Sequence, residues 1–260
     1  PNNFKISSNE LILVDGVIYC LSISGGMVYK LDKNKIERID NSFDHKMQIN
    51  AAVFAHDSKL FKYGGYGFWS ARNFFTYYDT KINEWELYGQ PTAKSEKPSG
   101  TFNNIFMKNG NDIYFFNGFQ INEDDRFKKF KDRLLWKYNF LTNEWTKLGE
   151  TRSFSPGYLI KNNHKLINIK NSSIEEIDFI KNTVSVYNKT VLNHKIFIGL
   201  PSFFMKNSFY YFVYQNGEVS LKTIAVKDFY GKLIRKTKFY KNYYWWWKML
   251  FTYFFIPLIL

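Results

Sequence analysis

The sequence that decides the fold occurs twice. Residues 60–88 read LFKYGGYGFWSARNFFTYYDTKINEWELY, and residues 113–148 read IYFFNGFQINEDDRFKKFKDRLLWKYNFLTNEWTKL. In both copies an aromatic run ends in a glycine-containing pair, and a polar stretch, a second aromatic run and the tripeptide Asn-Glu-Trp follow. Self-similarity of this kind is the sequence signature of a fold built from stacked repeats. The chain is therefore expected to repeat one supersecondary unit.

The same kind of unit extends along most of the chain. Short apolar runs that begin near Glu10, Ala51, Asn104, Tyr158 and Ser202 are each followed by a polar turn and a second apolar run, which is the pattern of a β-hairpin. One or two further strand-like runs follow each hairpin. The result is five units of about 40–50 residues, each with four short antiparallel strands, and this period is typical of propeller blades. The predicted fold class is all-β, a propeller rather than a sandwich.

The second and third units closely resemble the kelch repeat. Six short elements carry the resemblance: Gly64-Gly65 and Asn117-Gly118, Tyr78-Asp79 and Tyr138-Asn139, and Trp85 and Trp145. The resemblance implies a kelch-type β-propeller, similar to the central domain of galactose oxidase, over residues 1–242. About five blades are visible, whereas kelch propellers usually have six or seven, so we expect either a further blade before Pro1 or a smaller ring. The shared glycines, tyrosines and tryptophans are expected to shape turns and to fill the space between blades rather than to carry chemistry.

The C-terminal segment has a different composition. Residues 243–260 read YYWWWKMLFTYFFIPLIL and carry a single charge, at Lys248. A helix that spans a bilayer needs about 20 mainly apolar residues, and tyrosine and tryptophan are enriched at membrane interfaces. The segment Tyr243–Leu260 therefore predicts a transmembrane helix, truncated at its C-terminal end, that anchors the propeller to a membrane. A final buried strand or helix of the propeller is the alternative.

Two opposing signals bear on the side of the membrane that the propeller occupies. Basic residues between Lys232 and Lys241 precede the segment, and the positive-inside rule would place them, with the propeller, in the cytoplasm. The rule weakens for folded domains that cross the membrane as a whole. We expect an extracytoplasmic propeller, and a cytoplasmic-facing one is the alternative.

The net charge of +13, from 36 basic and 23 acidic side chains, raises the question of an anionic partner. The lysines are spread along the whole chain, and the sequence shows no helix-turn-helix, zinc-finger or RRM signature. Nucleic acid is therefore not the expected partner, and the charge indicates a lysine-rich solvated surface.

An enzyme is the alternative that the resemblance raises. Galactose oxidase needs a copper site with a Cys–Tyr crosslink, a second tyrosine and two histidines. Here the only cysteine, Cys20, lies in an apolar run, and the four histidines are dispersed in turns and linkers: His45, His56, His164 and His194. No P-loop, GxSxG or HExxH motif occurs. No catalytic residue, metal or cofactor is assigned, and a carbohydrate-active enzyme of the galactose-oxidase or glycosidase type is the alternative function.

Binding has more support, because loops on a rigid scaffold usually carry function and two loops differ from the repeat minimum. The second unit carries the loop at 66–72, with a tryptophan and an arginine of the kind that anchors interfaces. The third carries a basic insert at 122–131, with phenylalanines between its charges. The predicted binding residues are Tyr66, Trp69, Arg72, Arg126, Lys128 and Lys129. The predicted function is a noncatalytic, membrane-anchored propeller that binds a protein or glycan partner through one loop face.

Overall fold

Short antiparallel strands dominate the computed structural model, which describes residues 9–22, 25–33, 35–41, 47–89, 96–122, 124–125, 127–162, 164–189, 196 and 200–242. The first hairpin turns adopt the conformation that their sequences favour. Asp15 and Gly16 have φ angles of 49° and 78°, and Asp57 and Ser58 have φ angles of 43° and 57°. Two successive residues at positive φ are what a two-residue hairpin turn of type I′ requires. Polar turn residues therefore set the register of these hairpins locally.

Small antiparallel sheets form the five blades of a β-propeller. Blade 1 consists of β1 (Asn9–Val14), β2 (Val17–Ser22), β3 (Val28–Asp32) and β4 (Lys35–Arg38). Blade 2 consists of β5 (Ala52–His56), β6 (Lys59–Tyr63), a small hairpin of β7 (Tyr66–Gly67) and β8 (Ser70–Ala71), then β9 (Phe75–Asp79) and β10 (Glu84–Tyr88). Within both blades the four long strands are neighbours in chain order, as the repeat predicted.

Blades 3 and 4 repeat this order. Blade 3 consists of β11 (Ile105–Asn109), β12 (Asp112–Phe116), a second small hairpin of β13 (Phe119–Ile121) and β14 (Lys129–Lys131), then β15 (Leu134–Asn139) and β16 (Glu144–Thr151). Blade 4 consists of β17 (Tyr158–Asn162), β18 (Lys165–Ile169), β19 (Ser173–Asp178) and β20 (Thr183–Lys189). The small hairpins thus occur only in the two blades with the clearest repeat, within the part of the chain that the structure describes.

Blade 5 departs from the predicted four strands. It has three, β21 (Phe203–Met205), β22 (Ser208–Gln215) and β23 (Glu218–Ala225). A one-turn helix, α1 (Val226–Phe229), follows, and the next strand, β24 (Tyr230–Lys238), pairs with β20 of blade 4 instead of β23. The prediction that this strand completes the fifth blade is therefore wrong. The fully buried Phe229 packs in the core between blades 4 and 5 and turns the chain toward the edge of β20.

The last strand continues along the outside of the propeller. β25 (Tyr240–Asn242) pairs with β16, so blades 3 and 4 each gain a fifth strand. The Asn182 side chain fixes the crossing, because its Oδ1 accepts hydrogen bonds from the backbone N–H groups of Phe239 and Tyr240 at 3.1 and 3.0 Å. The C-terminal strands therefore tie two blades together.

The apolar core lies between blades. Four clusters of buried side chains fill the four boundaries between consecutive blades. The boundary between blades 2 and 3 is densely aromatic, and the Trp145 ring centroid lies 5.1 Å from that of Tyr63 and 5.7 Å from that of Phe75. Aromatic side chains bury more area than any others and prefer such offset arrangements. The predicted packing role of the repeat tryptophan is confirmed.

The other shared residues also have structural roles. Trp85 donates its indole N–H to the carbonyl of Gly26 at 2.7 Å, which joins blade 2 to blade 1. Tyr138 donates its hydroxyl to Asn143 Oδ1 at 2.9 Å. Asp79 accepts the backbone N–H of Lys81 at 2.8 Å and so satisfies a turn donor.

The glycine pair of the second unit is required by both conformation and space. Gly64 and Gly65 have φ angles of 71° and 96°, in a region that side chains with a Cβ rarely adopt. A Cβ on Gly65 would lie 2.7 Å from the backbone of Gln48, so the segment that enters blade 2 packs directly against it. In the third unit Asn117 takes the left-handed position, with a φ of 56°.

The predicted transmembrane helix, Tyr243–Leu260, lies outside the described residues. Over the residues that the structure does describe, no helix has the length and apolar character needed to cross a bilayer. Membrane anchoring therefore stays a prediction from the sequence.

Candidate functional site

Two accessory hairpins extend from the same face of the propeller, which we call the loop face. In blade 2 the chain between β6 and β9 forms β7 and β8, and in blade 3 the chain between β12 and β15 forms β13 and β14. Both connections leave the end of a second strand and enter a third, so antiparallel pairing places them at the same edge of adjacent blades. β8 and β13 are in contact. The two loops that the sequence singled out therefore lie side by side.

The β7–β8 hairpin ends in two exposed aromatic residues. Gly67 pairs with Ser70, which leaves Phe68 and Trp69 as a two-residue turn with φ angles of 48° and 63°. Asparagine and glycine are favoured at such positions, whereas a positive φ is an outlier for a bulky residue. The side chains of Phe68 and Trp69 are nevertheless 66% and 65% exposed. Backbone strain and exposed aromatic surface thus coincide at one turn, a combination that favours a functional role.

The base of this hairpin is held by close backbone contacts. A Cβ on Gly67 would lie 2.3 Å from the carbonyl oxygen of Met47, and a Cβ on Gly100 would lie 2.1 Å from that of Ala71. Both glycines are therefore needed for neighbouring segments to approach the hairpin. The aromatic turn is presented from a fixed base.

Tyr66 and Arg72 flank the turn in different surroundings. Tyr66 is half-buried, its ring centroid lies 5.6 Å from that of Phe102, and its backbone exchanges two hydrogen bonds with Ile49. The guanidinium carbon of Arg72 lies 5.8 Å from the ring centroid of Phe68. Arg72 therefore supports the aromatic turn through a cation–π contact, whereas Tyr66 packs against the segment before β11.

The β13–β14 hairpin carries exposed basic side chains. Phe119–Ile121 pairs with Lys129–Lys131, so the end of the predicted insert is a strand rather than a loop. The Nζ atoms of Lys129 and Lys131 lie 5.2 and 5.6 Å from the ring centroid of Phe119. Arg126, also predicted as a binding residue, lies outside the described residues.

Side-chain caps hold the loop between β13 and β14. Asn122 Oδ1 accepts hydrogen bonds from the backbone N–H groups of Asp124 and Asp125 at 2.8 and 3.2 Å. Asp125 accepts the N–H of Phe127 at 3.1 Å and pairs with Lys128 Nζ at 3.4 Å. Asx turns of this kind satisfy loop backbone that would otherwise need water. The loop is therefore locally structured, and the charge of Lys128 is opposed by Asp125.

A cleft of about 400 Å³ lies between the two hairpins on the loop face. Its lining residues come from the aromatic turn, the segment between blades 2 and 3, and β13: Phe68, Trp69, Ser70, Ala71, Ser99, Gly100, Gln120, Ile121 and Asn122. The lining combines exposed aromatic rings with hydroxyl and amide groups that can donate and accept hydrogen bonds. Of the predicted residues, Trp69 lines the cleft, and Arg72, Lys128 and Lys129 lie in the hairpins around it.

A second cleft, of about 380 Å³, lies on the opposite face between blades 1 and 2. Its lining includes hairpin-turn residues such as Ser58, Lys59 and Asp79. Asp79 accepts the N–H of Lys81 within its own turn, and Lys59 Nζ lies 5.0 Å from the ring centroid of Tyr77. Asp79 and Lys59 therefore already have partners within blade 2, and the cleft on the loop face is the stronger candidate.

Within the described residues, the side chains that could carry metal or redox chemistry are dispersed, and His45 and His194 lie outside those residues. Cys20 is fully buried, and burial raises the pKa of its thiol to about 11. His56 stacks on Phe140 with ring centroids 4.0 Å apart, and His164 lies 3.6 Å from the carboxylate of Asp178. Among the described residues, no three His, Cys, Asp or Glu side chains converge as metal ligands would.

Sequence reasoning found the two loops but missed most of the cleft lining. The sequence does mark Phe68 as unusual, because an aromatic pair occupies a two-residue turn that favours asparagine and glycine. Gln120 lies on a short strand that the pattern did not reveal. Ser99 comes from the segment between blades, and nothing in its local sequence indicates that the segment returns to the loop face.

The blade arrangement is similar to a solved structure described as "Structure of YjhT". The two share 16% sequence identity with a TM-score of 0.57, and the match covers 80% of this chain and 72% of that chain. No protein-family model and no curated protein matches the sequence. At this identity the likeness shows the fold alone, and function has to be argued from the site.

Proposed function

We propose that this protein is a noncatalytic binding module that takes a glycan at the cleft on the loop face. The observation that carries the proposal is the convergence of two blade loops on one cleft, with the strained Phe68-Trp69 turn as its aromatic wall. Local strain persists only where the surroundings over-determine it, and such positions cluster at binding sites. The shared repeat residues serve packing, so the site lies in what the repeats do not share.

The lining of the cleft favours a glycan. Its volume of about 400 Å³ is sufficient for one or two sugar rings. Hydroxyl and amide groups of Ser70, Ser99, Gln120 and Asn122 can donate and accept hydrogen bonds, which matches the hydroxyl groups of a sugar. The exposed ring of Trp69 can pack against the apolar face of a pyranose.

A protein partner is the second candidate, and one observation favours it. Phe127 is 92% exposed at the tip of the β13–β14 loop, and Phe130 is also exposed. The basic side chains of Lys129 and Lys131 lie close by on β14. Aromatic side chains are enriched at protein interfaces, and the neighbouring lysines would be complementary to an acidic surface.

Three finer features of the proposal rest on sequence. The glycine pairs, the Tyr-Asx pairs and the repeat tryptophans support a kelch-type propeller. The composition of Tyr243–Leu260 supports a membrane anchor. A propeller on the extracytoplasmic side would expose the loop face to glycans, and this is the side that we propose.

The test of ligand class is binding of the full chain, in detergent, to an array of neutral and acidic oligosaccharides. Trp69→Ala should weaken the best signal about tenfold or more, because an aromatic side chain that the ligand covers on binding usually contributes a large share of the binding energy. Leu141→Ala is the matched control, since Leu141 is exposed in the β15–β16 turn on the opposite face. Equal binding by Trp69→Ala and the native chain would contradict the site.

Two other outcomes separate the alternatives. A chain that binds no sugar, but captures a protein that Lys128→Glu releases, would establish a protein partner instead. Turnover of a bound sugar, or tight binding of added copper, would support an enzyme of the galactose-oxidase or glycosidase type. Flotation with liposomes tests the anchor: deletion of residues 243–260 should abolish flotation and leave the propeller folded, whereas loss of folding would assign the segment to the core.

A further inference from the structure

The last long strand, β24, forms an exposed edge on the outside of blade 4. Within the residues that the structure describes, β24 has a hydrogen-bonded neighbour on one side only, which is β20. All seven residues from Lys232 to Lys238 are exposed. Phe239, which follows them, is buried in the core between blades 3 and 4 and holds the end of the strand in place. We call the exposed stretch 232–238 the basic rim.

Positive charge accumulates on the basic rim. Strand β20, against which the rim lies, reads TVSVYNK and contains no acidic residue. Four of the seven rim residues are basic and none is acidic: Lys232, Arg235, Lys236 and Lys238. Among the described residues, no carboxylate forms an ion pair with any of the four. The charge of the rim is therefore available to an anionic partner.

Two adjacent apolar side chains interrupt these charges. Leu233 and Ile234 are 48% and 56% exposed. They lie at a β-bulge, because the register shifts between Leu233 and Arg235 and leaves Ile234 without a residue opposite it on β20. A bulge redirects side chains locally. The rim thus combines a small exposed apolar group with basic residues on both sides of it.

Protection of an open sheet edge explains the lysines but not the apolar pair. Charged side chains on an edge strand prevent it from pairing with another chain. Exposed Leu233 and Ile234 work against such protection, because apolar residues make an edge more prone to association. Basic residues around exposed apolar side chains are instead typical of surfaces that lie on anionic membranes, where the apolar groups enter the headgroup region and the charges meet lipid phosphates.

We propose that the basic rim binds the headgroups of an anionic lipid bilayer. Only residues 239–242 separate the rim from the segment 243–260, whose composition predicts a membrane helix. The inference therefore rests on the membrane attachment in the proposed function and deepens it. It concerns the charge of the leaflet that the rim meets, and it holds on either side of the membrane. With this rim on the bilayer, the propeller stands edge-on and the loop face opens along the membrane.

A fluorescent label at the apolar pair tests the contact. Ile234→Cys carries the label, and Leu87→Cys, 55% exposed on the last strand of blade 2, is the matched control. The only other cysteine, Cys20, is fully buried and adds little background. The 260-residue chain is diluted from detergent into phosphatidylcholine liposomes, with or without about 30% phosphatidylglycerol, that carry a quencher on the lipid headgroup.

Quenching of the label at position 234 should be about fivefold stronger on anionic than on neutral liposomes, because each basic residue near an anionic surface adds attraction. Lys236→Glu with Lys238→Glu should reduce it to the neutral level, and so should about 0.5 M salt, which screens the charges. The same change of net charge in blade 5, Lys206→Glu with Lys222→Glu at two exposed positions, should alter the quenching by less than about twofold.

Equal quenching at position 234 on the two kinds of liposome would overturn the inference, and so would quenching that the rim substitutions leave unchanged. Equal quenching at position 87 would overturn it too, because the contact would not be specific to the rim. A label that responds to single-stranded RNA but not to anionic liposomes would identify nucleic acid as the partner instead.

Flotation separates this inference from the proposed anchor. A chain that floats with anionic but not with neutral liposomes, and shows quenching at position 234, keeps the rim contact and loses the anchor. A chain that floats with both kinds of liposome but shows no quenching there keeps the anchor and overturns the rim contact. Neither result involves the cleft on the loop face.

Discussion

Blades 2 and 3 share the same repeat and differ in the hairpins that they present on the loop face. The shared Trp85 and Trp145 are buried between blades. The hairpin of blade 3 has an Asx-capped loop, whereas the hairpin of blade 2 places Phe68 and Trp69 at positive φ. The same scaffold therefore carries one relaxed loop and one strained loop. The difference teaches that shared residues build the blade and unshared residues build the site.

The largest expected effect separates the two kinds of tryptophan. Trp145→Ala and Trp85→Ala should each lower the free energy of unfolding by about 3–5 kcal/mol, because each leaves a cavity between blades. Trp85→Ala also removes the hydrogen bond to Gly26. Trp69→Ala should change stability by less than about 0.5 kcal/mol, since its side chain is exposed. Urea unfolding monitored by circular dichroism measures all three, and a large loss for Trp69→Ala would show that this residue belongs to the core.

The next effect concerns glycines. Gly65→Ala should destabilise the chain by about 2–3 kcal/mol, because the new Cβ meets the backbone of Gln48 at 2.7 Å and the φ of 96° is unfavourable. Gly110→Ala is the matched control: Gly110 also has a positive φ, of 57°, but a Cβ there meets no atom within 4 Å. Its cost should be about 1 kcal/mol, from conformation alone. Equal unfolding free energies for the two variants would show that close approach at Gly65 contributes nothing.

A third change makes the strained loop relaxed. Replacing Phe68 with Asn and Trp69 with Gly supplies the residues that a type I′ turn favours, so stability should rise by about 1–2 kcal/mol while binding is lost. The control, Phe68→Ala with Trp69→Ala, removes the rings but keeps a Cβ at both positive-φ positions. Binding should therefore be lost without a gain in stability. Thermal unfolding and glycan binding are measured together. A double Asn-Gly variant no more stable than the native chain would show that the turn stores no strain.

How much could be predicted differs between the fold and the site. The all-β propeller follows from local signals, because hairpin turns such as Asp15-Gly16 are encoded by the residues that form them. The glycine pair and the repeat tryptophans were assigned correctly for the same reason: their roles follow from side-chain size. The exception is β24, which pairs with β20 because Phe229 is drawn into the core, and a long-range packing preference of that kind leaves no local pattern.

The candidate site was found only in part. The loops at 66–72 and 122–131 were recognised because they interrupt the repeat, yet their contact with each other depends on the stacking of two blades. Ser99 reaches the cleft because Gly100 lets its backbone approach Ala71, and a distance of this kind cannot be deduced from spacing along the chain. Tyr66, also a predicted binding residue, packs against Phe102, and its role in binding stays a prediction.

A smaller effect concerns two tyrosines of the repeat. The hydroxyl of Tyr63 is fully buried and finds no hydrogen-bond partner, whereas that of Tyr138 donates to Asn143. Tyr63→Phe removes an unsatisfied polar group and should stabilise the chain by about 1 kcal/mol; blade 3 already has Phe116 at the equivalent position. Tyr138→Phe should destabilise it by about 1 kcal/mol, because Asn143 Oδ1 loses its shorter hydrogen bond and keeps only the one from Tyr88, at 3.4 Å. The two substitutions should change the free energy of unfolding in opposite directions. A loss of stability from Tyr63→Phe would reveal a partner for that hydroxyl.

The smallest expected effect is a pH dependence of stability that comes from His56. His56 is the last residue of β5 in blade 2, and Asn109 takes the equivalent place at the end of β11 in blade 3. Burial lowers the pKa of His56 below its usual value, Lys108 lowers it further, and Asp57 opposes both. The unfolded chain, with an ordinary histidine pKa of about 6.5, then binds the proton more tightly than the folded chain, so stability should fall as the pH drops below that value. His56→Asn, which copies blade 3, should remove this part of the pH dependence. Unfolding free energies at about pH 7.5 and 5.5 test it, because carboxylate contributions are common to both proteins. Identical pH dependence in the two would mean that the imidazole reaches water when it is protonated and that its stacking on Phe140 is not an obstacle.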